Sequence, residues 1–123
     1  MADSLLIIVR RGPYGTVNAA EALRHLNGSL AHGLPAQALM IDDGVYCAVA
    51  NQKVDESEWV SLSKTMESTL ALSQGRDQSL VLAHIPSLTA RGLEVWDLVE
   101  GVRLIGEEEA TRLLAEAGAV LIY

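Results

Sequence analysis

Five short apolar runs punctuate the chain, and stretches with helical periodicity separate them. The first run, Leu5-Leu6-Ile7-Ile8-Val9, is unbroken and rich in β-branched residues. A strand covered on both faces reads this way, as in a parallel sheet between layers of helix. It leads into Arg10-Arg11-Gly12-Pro13-Tyr14-Gly15, a loop by its glycine and proline content. Thr16 is the expected cap of a helix whose apolar stripe is Ala19, Ala20, Leu23, Leu26 and Leu30, stopped by Gly33. Residues 36–41 form the second expected strand. Asp42-Asp43-Gly44 then opens a short helix through Val45, Tyr46, Ala48 and Val49, with one aspartate as its cap. A longer helix is expected over 57–73, with Met66 and Leu70 on its inner stripe. The third strand, 79–83, is broken by His84-Ile85-Pro86-Ser87, and one helical turn follows before Gly92. The fourth strand covers 102–105. Glu107, Glu108 and Glu109 then open a helix in the sense its dipole favours, and Gly118 stops it. Residues 119–122 are the fifth strand.

Strands that alternate with helices and are apolar throughout imply a parallel sheet covered on both faces. With right-handed crossovers, the expectation is a flavodoxin-like three-layer α/β sandwich with strand order 2-1-3-4-5. A length of 123 residues fits one domain over 1–123. Half of the residues are hydrophobic and a fifth are charged, which excludes intrinsic disorder. Phe is absent and aromatics make up only 4%, so the core must be aliphatic. A mean hydropathy of +0.23 in so small a chain points to self-association. The net charge of −7 excludes binding a phosphate backbone by counterion release. One cysteine and three scattered histidines offer neither a disulfide framework nor zinc-ligand spacing, so no metal or organic cofactor is expected. The first apolar run precedes its arginines, the reverse of a secretory signal, and no run is long enough to span a bilayer. A cytoplasmic location, away from membranes, is expected.

In a sheet of this kind, ligands bind beyond the carboxyl ends of the strands. Those ends carry residues 10–15, 42–47, 84–87 and 106–107. Gly12, Tyr14 and Gly15 belong either to an ordinary strand-to-helix turn or to an amide cradle for a small anionic or nucleotide-like ligand. Asp43, Gly44 and Ser87 are further binding candidates. The Asp42-Asp43 pair lacks the other parts of a phosphoryl-receiver site, namely an acceptor aspartate after the third strand and a lysine after the fifth. Cys47 is either a buried small hydrophobe or a thiolate favoured by the start of a helix. His84 is either a hydrogen-bonded structural side chain or an acid or base at the mouth of the site. A catalytic pairing of Cys47 with His84 requires the two within hydrogen-bond reach.

Several segments in order resemble the DsrE/DsrF-like family, which includes the Tus sulfur-relay subunits. They are the Gly12-Pro13-Tyr14-Gly15 turn, Asp42-Asp43-Gly44-Val45-Tyr46, Ser87-Leu88-Thr89-Ala90-Arg91-Gly92-Leu93, and the terminal hydrophobic strand. The resemblance implies a small α/β protein that assembles into dimers, trimers or hexamers. It also implies sulfur carriage as a persulfide on a cysteine at the end of the third strand. His84 holds that place here. The chain therefore looks like the DsrF or TusC type, a non-carrier or atypical subunit that partners a cysteine-bearing one. A homo-oligomeric binding module for a small ligand is the alternative expectation.

Overall fold

The computed structural model of the protein describes residues 4–13, 17–50, 62–72 and 79–123. Strands β1 (Leu5–Val9), β2 (Ala36–Met40), β3 (Val81–His84), β4 (Arg103–Ile105) and β5 (Ala119–Ile122) form one parallel sheet. Helices α1 (Asn18–Ala31), α2 (Leu62–Ala71), α3 (Ile85–Ala90) and α4 (Glu107–Glu116) connect them. Two 3-10 turns, Asp42–Ala48 and Val95–Asp97, lie in the connections. Of the long helix expected over 57–73, residues 57–61 and 73 lie outside the described residues.

The strand order is β4-β3-β2-β1-β5, not 2-1-3-4-5. Each crossover from β1 through β4 steps to the same side, and the helices of those crossovers pack on one face of the sheet. A right-handed crossover that steps the other way must pass over the opposite face. The connection from β4 to β5 does this: α4 crosses the second face and delivers β5 to the free edge of β1. The apolar pattern reports strands and helices but carries no record of which edge a strand joins.

Alternation along the strands divides the core into two layers. Ile7, Val9, Ala38, Met40, Val81 and Ala83 meet Leu23 and Leu26 of α1, Met66 and Leu70 of α2, and Leu88 of α3. Leu6, Ile8, Leu39, Leu82 and Ile105 face the other way and meet Ala110 of α4. Among the described residues, one ten-residue helix covers the second face, and every residue of β5 is exposed. Leu114 and Ile122 remain exposed beside it.

Local departures from expectation have local causes. Neither Asp42 nor Asp43 caps the turn that follows β2: Ile41 is the cap residue and no side chain bonds the cap. Asp42 instead adopts a left-handed φ of 51°, and Asp43 pairs with Arg91. Val17 precedes α1 without a side-chain cap, and Thr16 lies outside the described residues. Strand β3 runs on through His84, and α3 begins at once because Pro86 sits in its first turn, where no N–H is needed. Gly33, at φ 79°, ends α1 as expected.

Candidate functional site: a cleft at the strand ends

The connection leaving β3 packs on the first face, whereas the one leaving β4 packs on the second. These strands are neighbours, so the sheet has its topological switch point between them. That is where a crevice opens in sheets of this class. His84 ends β3 and Glu107 opens α4 immediately after β4, and the two side chains meet there.

Their contacts form a continuous chain. The Asp42 backbone N–H donates to Ser87 Oγ at 2.9 Å. Ser87 Oγ lies 2.7 Å from His84 Nδ1, and His84 Nε2 lies 3.2 Å from Glu107 Oε1. A carboxylate only accepts, so the neutral imidazole consistent with this chain carries its proton on Nε2. Nδ1 then accepts from the Ser87 hydroxyl. The connectivity has the form serine–histidine–glutamate, but Ser87 is buried, already accepts from Asp42, and donates to the ring. Ser87 is therefore a positioning group, and His84 and Glu107 are the members that line the cleft. Arg91 braces the arrangement: Nε donates to Asp43 Oδ1 at 3.0 Å, and Nη1 to the Ser87 carbonyl at 3.1 Å.

The cleft encloses about 240 Å³. Its floor is Ile8, Leu39 and Ile41, and its walls include Leu114 of α4 and Ile122 of β5. Arg10, Asp42, His84 and Glu107 supply the polar lining.

Cys47 is elsewhere. It is fully buried in the first-face core, whereas His84 lies with the second-face residues. The sheet separates the two. The Cys47 thiol donates to the Arg11 carbonyl at 3.4 Å, and burial pushes its pKa up to about 12. A thiol in that state is a core side chain, with negligible thiolate at neutral pH.

Gly44 has a steric role: a Cβ there would stand 1.9 Å from the Val9 carbonyl oxygen. The backbone after β2 thus packs directly on the end of β1. Gly12 has no such constraint, since its Cβ would meet only the Asp43 carbonyl at 3.9 Å. Tyr14 and Gly15 lie outside the described residues, and so does part of the amide cradle expected over 12–15. In the sequence, residues 106–107 stand at an expected strand end, where Glu107 has only a helix-dipole role. Its position directly after β4 was the available signal.

A sequence profile of the DsrE/DsrF-like family matches residues 3–123. The chain belongs to the DsrE/DsrF-like family. At the level of the family, this links it to sulfur-relay-related proteins. An uncharacterized protein of Methanocaldococcus jannaschii is 26% identical over 117 residues, covering 95% of this chain and 96% of the relative. One from Methanopyrus kandleri is 28% identical over 121 residues, covering 98% and 94%. The crystal structure of the ychN protein from E. coli superposes with a TM-score of 0.83 at 18% identity, over 98% of this chain and 99% of that one. A protein of unknown function from Methanobacterium thermoautotrophicum superposes with a TM-score of 0.69 at 15% identity, over 98% of both chains. These two likenesses establish the shared fold. Among the described residues, no helix is long and apolar enough to cross a membrane.

Proposed function

We propose that this DsrE/DsrF-like chain is a non-carrier subunit of a cytoplasmic sulfur-relay assembly. The observation that carries the reading is the state of its one cysteine. Cys47 is fully buried, its thiol is held at a pKa of about 12, and it lies across the sheet from the strand-end cleft. A persulfide forms when a thiolate attacks a sulfane sulfur, which requires both ionisation and access. Cys47 has neither. His84, at the end of β3, is anchored through both ring nitrogens.

The role left to such a subunit is to shape and position a cysteine-bearing partner. The thinly covered second face supports assembly, as a trimer or hexamer of this chain or together with that partner. Leu114, Val120 and Ile122 are all exposed there.

The test is intact-mass spectrometry of the native protein after treatment with glutathione persulfide, alongside Cys47→Ala, with light scattering on the same samples. The expected result is no added sulfur on native Cys47 and a mass well above the 13.2 kDa of one chain. A stable persulfide on Cys47, with sulfur transfer lost in Cys47→Ala, would overturn the reading.

A further inference from the structure

The strand-end cleft has charge on one side of an aliphatic floor, and the order of that charge is informative. Across the sheet, Arg10 follows β1 and Asp42 follows β2, and these strands are hydrogen-bonded neighbours. Adjacent strands stand about 4.8 Å apart. Yet among the described residues neither Arg10 nor Asp42 takes part in an ion pair, while Asp43, one residue on, is paired with Arg91. Asp42 is held by its left-handed backbone and by the N–H bond to Ser87, which fixes where it leaves the sheet. Two opposite charges therefore line one cleft, at the ends of neighbouring strands, with no ion pair between them. Below them lie Ile8, Leu39 and Ile41.

We propose that this cleft binds a free α-amino acid with a compact aliphatic side chain. The carboxylate lies on the Arg10 guanidinium, a geometry suited to a two-point contact. The ammonium lies on the Asp42 carboxylate. In an α-amino acid these groups are joined through one carbon, and here an acceptor and a donor of opposite charge line the same cleft. The side chain enters the aliphatic floor, whose volume of about 240 Å³ admits leucine-sized groups. The other negative group of the lining, Glu107, has one oxygen engaged by the His84 ring and lies after β4, two strands further from Arg10 than Asp42 does. A simple anion would meet Asp42 as well as Arg10 and gains little. A simple cation meets the converse. Only a ligand carrying both charges satisfies both groups at once. The inference stands on the cleft alone and is independent of the state of Cys47.

The experiment is a titration of the native protein with L-leucine, followed by amide chemical shifts and calorimetry. Three probes each remove one feature: 4-methylpentanoate lacks the ammonium, isoamylamine lacks the carboxylate, and glycine lacks the aliphatic body. Each is expected to bind about 10-fold or more weakly than leucine, the usual loss for one charge-assisted contact or a buried side chain. Shifts should concentrate at the ends of β1 and β2. Arg10→Gln and Asp42→Asn should each weaken leucine by a similar factor. Asparagine tolerates the left-handed backbone at position 42, so both variants should melt within a few degrees of the parent. Equal binding of leucine and 4-methylpentanoate, equal binding of glycine, unchanged affinity in Asp42→Asn, or no saturable shift with leucine would each overturn the proposal.

Discussion

Burying a single ionisable thiol makes a quantitative prediction about alkaline stability. The Cys47 pKa moves from an ordinary 9.0 to about 12 because burial penalises the thiolate. Below pH 9.0 both folded and unfolded chains hold the proton, and the shift has no effect on stability. Above 9.0 the unfolded chain releases it while the folded chain does not, so stability falls as pH rises toward about 12. Each unit corresponds to about 1.4 kcal/mol, or about 4 kcal/mol over the whole window. Cys47→Ala removes this slope but also empties part of the core, at about 1–2 kcal/mol near neutral pH. The variant should therefore be the less stable protein at neutrality, draw level near pH 10, and be the more stable above it (all approximate). Urea denaturation of both proteins from about pH 8 to 11 measures the difference, in which tyrosines and lysines common to both cancel. Iodoacetamide gives a kinetic counterpart: the native thiolate should be about 1000-fold scarcer at neutral pH than in the urea-unfolded chain. A stability difference that stays flat across the range, or a native alkylation midpoint near 9.0, would refute the argument.

Other perturbations follow from the same packing. Gly44→Ala drives a methyl into the Val9 carbonyl and should cost about 3 kcal/mol or more, read as a lower urea midpoint or an insoluble product. Ser87→Ala removes the acceptor of the Asp42 N–H and the partner of His84 Nδ1, and should cost about 1–3 kcal/mol. Its imidazole resonances should also show the ring losing its fixed orientation. Glu107→Gln touches a contact whose acidic partner is 73% exposed, so thermal unfolding should register a change of less than about 1 kcal/mol. Leu26→Ala, emptying a fully buried position between α1 and the sheet, should lower stability by about 2–5 kcal/mol in the same urea assay.

Much of this molecule is determined by local sequence. The run Leu5–Val9 is apolar at every position because both faces of β1 are covered, and that pattern needs no knowledge of its neighbours. Gly33 and the Glu107–Glu109 turn mark helix ends through backbone freedom and dipole chemistry, which are equally local. The aliphatic character of the core follows from composition. Strand order was beyond such reasoning, because hydrophobic periodicity is blind to the direction of a crossover. Only packing α4 against Leu6, Ile8 and Leu39 sends β5 to the edge of β1. The fate of Cys47 was open for the same reason: an expected helix start favours a thiolate, but Cys47 falls next to last in the Asp42–Ala48 turn, and burial in the core raises its pKa. The cleft is the clearest case. Arg10, Asp42, His84 and Glu107 are spread over nearly a hundred positions of the chain. They share one crevice because parallel pairing aligns the carboxyl ends of their strands and α4 crosses the second face beside them.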